Sequence, residues 1–276
     1  MRLSAYLLFL NSYNTTFASL TRAKNMELLF LGTGTSTGIP EIGCPCAVCQ
    51  STDSKDKRLR SSVLVETQGK HILIDCGPDF RQQLLSEFFH PLDAVLITHE
   101  HYDHVGGIDD LRPYGQFGSL QIYAESNVCD AIKTRLPYCF GEHNYPGVPQ
   151  LQLHPITLNS FSVADINIQP IRVLHGKLPI VGFRIKNMAY LTDLTDIPAS
   201  EYHKLTNLDV LIIDALRDQP HPSHQTVAQA LIQVERINPK QAYFIHMSHH
   251  FGQHNDRQQQ LPSSVKIAYD GLKITI

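Results

Sequence analysis

The order of elements fits a mixed α/β domain with two sheets between helices, an arrangement that propensity alone does not choose, and three observations bear on that class. From Met26 onward, short runs rich in Val, Ile and Leu alternate with amphipathic, helix-forming stretches. Hydrophobic residues make up 42% of the chain and charged residues 18%, the balance of a globular rather than a disordered protein. No repeat, low-complexity tract or linker breaks the pattern after residue 25. At 276 residues the chain is long enough for one large domain or two small ones.

The elements follow in order. Strands are expected over Glu27–Leu31, Ser62–Glu66, His71–Asp75, Ala94–Thr98 and Leu120–Tyr123. Later strands are expected over Ile166–Val173, Gly182–Ile185, Ala189–Thr192, Val210–Asp214 and Ala242–His246. Helices are expected over Asp79–Phe89, Val128–Leu136, Ala199–Leu205 and Ser223–Ile237, the last opening on Ser223 as its N-cap and closing at Asn238–Pro239. Asp270–Gly271, between two alternating runs, predicts a tight hairpin turn.

Residues 1–25 are expected to be an N-terminal extension, disordered or upstream of a true start at Met26, with 26–276 forming the domain. The apolar stretch Tyr6–Leu10 is shorter than the about 7–15 residues of a secretory signal. No apolar run approaches the roughly 18 residues that span a membrane. The formal net charge is -3, from 23 basic and 26 acidic residues. That gives no electrostatic push toward nucleic acid or an anionic membrane. The basic run Lys55–Arg60 reads as a solvated loop.

Histidine stands out, with 15 copies, many of them bunched. Neutral imidazole is the commonest protein metal ligand, so the spacing matters. Thr98-His99-Glu100-His101-Tyr102-Asp103-His104 follows Ala94–Ile97, which reads as a buried strand. A loop at a strand end lets a rigid sheet aim several side chains at one point. His99 and His101 can approach one metal, Asp103 and His104 a second, and Gly106–Gly107 lets the backbone turn tightly beside them.

This His-x-His-x-Asp-His run resembles the signature of the metallo-β-lactamase superfamily, an αββα sandwich with a binuclear metal site at one edge. The resemblance covers residues 26–276 and implies three further ligands, each with a candidate at the end of a strand-like run: His175, Asp193 and His246. It implies that His99, His101 and His175 hold one metal, that Asp103, His104 and His246 hold the other, and that Asp193 bridges them. Two such ions lower the pKa of a shared water and neutralise charge on the attacked group. Asp75, in Ile72-Leu73-Ile74-Asp75, resembles a strand-end Asp that orients ligands rather than binding metal.

The cysteines narrow the reading. Three of the six fall at Cys44, Cys46 and Cys49, a spacing that suits a metal better than disulfides and points to a reducing, cytoplasmic setting. Structural zinc takes four ligands, and His249, three residues after His246, is the candidate fourth. The cysteine motif after Leu31-Gly32-Thr33-Gly34, paired with His246-x-x-His249, is similar to PhnP-type phosphodiesterases. That resemblance implies hydrolysis of 5-phosphoribosyl 1,2-cyclic phosphate to ribose 1,5-bisphosphate. It also implies two catalytic divalent ions (manganese or zinc), one structural zinc and a homodimer. The glycines of Gly32–Gly38 match neither a triphosphate loop nor a dinucleotide fingerprint. The same family places a substrate-reaching histidine where His224 stands. His224 is therefore expected to act as general acid for the leaving alkoxide or to stabilise phosphoryl charge, with Asp103 the other catalytic residue. His221, His250 and His254 receive no role.

Two other classes stay open. One is a different phosphodiesterase on the same fold, acting on 2′,3′-cyclic nucleotides or processing tRNA, although no long basic insertion offers an RNA exosite. The other is a non-catalytic protein that binds a metal or a metabolite. The expected partner is a small cyclic phosphate, with neither nucleic acid nor membrane.

Overall fold

The computed structural model describes residues 25–141 and 147–276. Apart from Asn25, the extension expected over 1–25 lies outside the described residues. The strands are β1 (Met26–Gly32), β2 (Ser62–Thr67), β3 (Lys70–Ile74), β4 (Ala94–Leu96), β5 (Leu120–Glu125), β6 (Leu151–Ile156) and β7 (Phe161–Val163). They continue as β8 (Ile166–His175), β9 (Leu178–Ile185), β10 (Met188–Leu191), β11 (Val210–Asp214), β12 (Gln241–Ile245), β13 (Val265–Ile267) and β14 (Lys273–Thr275). The α-helices are α1 (Phe80–Leu84), α2 (Tyr102–Val105), α3 (Ser126–Arg135), α4 (Val227–Ile237) and α5 (His254–Gln258).

The strands form two seven-stranded sheets, ordered β14-β1-β2-β3-β4-β5-β6 and β13-β12-β11-β10-β9-β8-β7. Period-two alternation sorts their side chains between layers. Val63, Val65, Ile72 and Ile74 point between the sheets and meet Phe183, Tyr190 and Ile212 from the other sheet. Leu64 and Leu73 point outward instead, toward Phe80, Val128 and Ile132 of the helices. On the far side, Leu211, Ile213 and Phe244 pack against Val227, Ala230 and Val234 of α4. The layers are therefore helix, sheet, sheet, helix, as the αββα expectation requires. Among the described residues, no helix is long and apolar enough to cross a membrane.

The polarity of the strands places the site. β3 to β6 run parallel, as do β10 to β13. The carboxyl ends of β3 and β4 thus gather along one edge of the first sheet, and those of β10, β11 and β12 along one edge of the second. β8 is antiparallel to β9, which is antiparallel to β10, so β8 also ends on that edge. Ligand sites of open α/β sheets lie at such carboxyl ends.

Three local expectations are corrected. Asp270–Gly271 is not a hairpin turn, because β13 belongs to one sheet and β14 pairs with β1 in the other. The chain crosses between sheets there, with Gly271 at φ 86°. Ser223 is not the N-cap of the long helix. Thr226 caps it in a reciprocal box with Gln229, so α4 begins at Val227. The helix expected over Asp79–Phe89 ends at Leu84, where Phe80 and Gln83 have already spent its one buried face. His90, before Pro91, is also disfavoured in helical geometry.

Candidate metal centre

Each site residue comes from the end of a strand or the loop beyond it. Asp75 follows β3, His99–His104 follow β4, His175 ends β8, Asp193 follows β10, Asp214 ends β11 and His246 follows β12. Asp75, Asp193 and His246 all hold left-handed backbone, at φ 61°, 53° and 57°. Non-glycine residues seldom adopt this conformation, and it turns each side chain off its strand into the shared edge. Gly77 permits the close approach of the ligand loop, since a Cβ there would collide with the Asp103 carbonyl.

The expected ligands converge in two groups. His99, His101 and His175 offer nitrogens that all lie within 4.8 Å of one another, and so do the ligand atoms of Asp103, His104, Asp193 and His246. Asp193 stands between them. Its Oδ1 lies 3.2 Å from Nε2 of both His104 and His246, and its Oδ2 lies 3.8 Å from His99 Nε2. Asp103 Oδ2 lies 3.2 Å from His104 Nε2 and 3.5 Å from His246 Nε2.

The hydrogen bonds behind the rings decide which nitrogen faces inward. His104 Nδ1–H donates to Asp75 Oδ2 at 2.7 Å. Thr98 donates from its N–H and Oγ1–H to Asp75, so its hydroxyl oxygen is free to accept from His99 Nδ1–H at 3.0 Å. His175 Nδ1–H donates to the Ser223 carbonyl at 2.7 Å. Each ring thereby presents a bare Nε2 to the cluster. His99 Nε2 and His104 Nε2 are buried and have no hydrogen-bond partner among the described residues.

The electrostatics ask for cations. Asp75, Asp103, Asp193 and Asp214 are all buried. Burial opposes the charge on Asp193, but His246, His104 and His99 outweigh it and hold that carboxyl well below its ordinary range. Burial disfavours a charged His104, yet Asp193, Asp103 and Asp75 together pull it well above the usual imidazole range. Buried anions surrounded by unpartnered imidazole nitrogens are the donor set of divalent ions. The residues fit a metal pair on this ground.

The cysteine cluster forms as a separate centre. Nδ1 of His249 lies 3.0, 3.6 and 3.4 Å from Sγ of Cys44, Cys46 and Cys49. The three thiols are free rather than disulfide-bonded. The Cys49 backbone N–H is the main influence holding the Cys46 thiol down to about 7. This loop is tied to the other centre through backbone: Thr35 N–H donates to the Met247 carbonyl, and Met247 N–H to that of Thr33.

His224 sits over the His/Asp cluster, its ring 4.9 Å from that of His246 and 4.7 Å from that of His175. Its Nδ1 faces Asp214 Oδ2 at 3.6 Å. His224, His175 and Asp193 also bring ligand atoms within 4.8 Å of one another, a grouping that the sequence did not suggest. Burial pushes the His224 imidazole down to about 4. The sequence reading missed Asp214, which burial and then Asp193 push well above the carboxylate range. Its signal was present, because Val210-Leu211-Ile212-Ile213-Asp214 ends as the run to Asp75 does.

Fold and site together define a metal-dependent hydrolase class, and comparison with known proteins agrees. A family model described as a beta-lactamase superfamily domain matches residues 70–247. The chain belongs to that superfamily. Within it, the chain is similar to a solved diphosphatase of the PhnP family, with a TM-score of 0.86 and 38% identity over 91% of this chain and 97% of that one. It is also 48% identical over 254 residues, 91% of this chain, to a Porphyromonas gingivalis protein named octanoyltransferase. It spans about half, 52%, of that relative's length. The short form of human tRNase Z shares the fold, with a TM-score of 0.68 and 21% identity over 90% of this chain and 98% of that one. The fold implies divalent metal ions at the His/Asp cluster.

Proposed function

We propose that the chain is a binuclear metal-dependent phosphodiesterase acting on a cyclic phosphodiester, with 5-phosphoribosyl 1,2-cyclic phosphate the substrate that fits best. One observation carries this reading: a full His/Asp cluster and a Cys₃His cluster, joined through Met247, occur in a chain with 38% identity to a PhnP-family diphosphatase.

In this reading His99, His101 and His175 would hold one ion, Asp103, His104 and His246 would hold the other, and Asp193, between the two groups, would serve both. Cys44, Cys46, Cys49 and His249 hold a structural zinc. When bound there, manganese or zinc would supply Lewis acidity and a water that ionises near neutral pH. Asp75 and Thr98 fix His104 and His99 from behind, and Ser223 fixes His175. His224 is neutral in the free site. It donates a hydrogen bond toward phosphoryl or leaving-group oxygen, and a seated phosphate anion favours its protonated, general-acid form. Asp214 Oδ2 faces His224 Nδ1 at 3.6 Å, beyond hydrogen-bond distance. The net reaction adds water across one P–O bond of the cyclic ester, leaving a phosphate monoester and a free hydroxyl. The cysteine-rich, metal-bearing site is also the basis for proposing a cytoplasmic protein.

The experiment is a kinetic panel on metal-loaded protein. It comprises the ribosyl cyclic phosphate, a sugar-linked diphosphate, a 2′,3′-cyclic nucleotide and an octanoyl thioester. Preference for the ribosyl cyclic phosphate is the expected result. Preference for the diphosphate would place the chain with the activity named for its PhnP-family neighbour. Turnover of the thioester alone would move it to the acyl chemistry named for its P. gingivalis relative.

A further inference from the structure

We propose that Arg217 and His221, on the loop that carries His224, form an anion subsite at the mouth of the metal centre and bind a second phosphoryl group of the substrate. The inference deepens the reading above and rests on it only for where the reacting phosphoryl group lies.

The loop is closed at its base. Leu216 N–H donates to the Gln225 carbonyl, Val227 N–H to that of Arg217, and Ser248 N–H to that of Leu216. Residues between these anchors are therefore presented in a fixed frame beside the centre. The Arg217 guanidinium folds back on its own loop, donating from Nε to the Gln219 carbonyl and from Nη2 to the Pro220 carbonyl, each at 3.2 Å. This sets the cation against the peptide that leads into His221 and leaves Nη1 without a partner among the described residues. No carboxylate of the described residues pairs with Arg217. The neighbouring Asp218 is taken by Arg257 at 2.6 Å. A half-buried guanidinium with free donors and no counter-ion is what a phosphoryl group would occupy.

His221 supplies the second donor. Ser223 N–H donates to its Nδ1 at 3.4 Å, and Ser223 Oγ lies 3.2 Å from the same nitrogen. That contact makes Nδ1 the acceptor and places the ring proton on Nε2. With Nδ1 taken by Ser223, the Nε2–H of His221 is the donor left to face a ligand. Its ring is 5.1 Å from that of His224, which in turn stacks 4.9 Å from His246. The distance from metal ligand to rim is thus two ring spacings, within reach of one small bisphosphorylated molecule. Ser223 couples the two regions, since its carbonyl orients His175 while its amide orients His221.

The test is calorimetric titration of metal-loaded protein with inorganic phosphate, pyrophosphate and ribose 1,5-bisphosphate, for wild type, Arg217→Met and His221→Gln. A gain of about tenfold or more for at least one bisphosphate over inorganic phosphate, lost in both variants, is expected from one lost charged hydrogen bond. A gain confined to pyrophosphate keeps the subsite and removes the ribosyl reading. No gain in wild type, or a gain that survives both substitutions, overturns the subsite. Arg217→Lys separates charge from geometry: it should retain part of the gain, and thermal melts of all four proteins should coincide. A melt lowered in step with a loss of all phosphate binding would show a structural role and also overturn the proposal.

Discussion

His104 donates from Nδ1 to Asp75 Oδ2 at 2.7 Å, with both side chains fully buried. The bond determines that Nε2 is the nitrogen turned toward Asp103 and Asp193. Asp75→Asn keeps the shape but presents an amide that can donate as well as accept, which releases the tautomer. The variant should bind its catalytic metal about 10–100-fold more weakly. Metal content after dialysis against a graded chelator checks this. Full retention of metal would show that Asp75 does not orient His104.

His224 distinguishes acid catalysis from charge stabilisation by leaving-group dependence. As an acid, it matters most when the departing oxygen is a poor leaving group. His224→Ala should cost about 10²–10⁴-fold on an alkyl or ribosyl ester. It should cost far less on a p-nitrophenyl diester, whose phenolate needs no proton. Equal losses on both substrates would assign His224 to charge stabilisation alone.

The thiol centre should act on stability rather than on chemistry. Cys49→Ser should lose about one zinc per chain and lower the melting temperature, because in the proposed four-ligand assignment an ion there would anchor the loop over residues 39–49. Metal analysis beside a thermal melt reads both quantities. Unchanged zinc content would contradict the four-ligand assignment.

A second buried network makes stability depend on pH. Arg58 donates to Thr33 Oγ1 and to the Ala268 carbonyl, and its Nη2 lies 3.2 Å from His254 Nδ1. Asp270 accepts from Thr33 Oγ1 and Leu59 N–H. Burial, then Arg58, pushes His254 from its ordinary 6.5 down to about 4. Its unfolded form binds a proton that the folded form refuses, so its contribution is full above pH 6.5 and is lost as pH falls toward 4. Burial raises Asp270 from 3.8 to about 6, so its contribution is full below pH 3.8 and is lost as pH rises through 6. The two oppose each other between pH 4 and 6. Relative to wild type, Asp270→Asn should steepen the loss of stability on going from pH 7 to pH 5, and His254→Gln should flatten it. Urea melts at the two pH values measure both, and identical slopes in all three proteins would refute the account.

The ligand loop was legible in the sequence because its four candidate side chains lie within six residues, His99 to His104, behind one apolar run. His175, Asp193 and His246 were legible only as polar ends of strands, in an order that the family resemblance supplied. Asp214 carried the same mark and was passed over, since no neighbouring histidine drew attention to it. The hairpin expected at Asp270–Gly271 failed for a non-local reason. Turn chemistry predicts a reversal of the chain, but not which sheet the next strand joins, and β14 found its partner in β1. Ser223 was misread because Ser223 and Thr226 compete for one cap, and the reciprocal bond with Gln229 decides for Thr226. The ring tautomers, and the role of Ser223 between His175 and His221, depend on contacts across 48 and 2 residues that no periodicity encodes.

The central claim is tested most directly by following metal-loaded protein with 5-phosphoribosyl 1,2-cyclic phosphate by ³¹P NMR, beside Asp103→Ala. The account predicts that wild type replaces the cyclic phosphodiester signal with a second monoester signal, as ribose 1,5-bisphosphate forms. In the variant the cyclic signal should persist. A cyclic signal that survives incubation with metal-loaded wild type, or that Asp103→Ala removes equally fast, would contradict it.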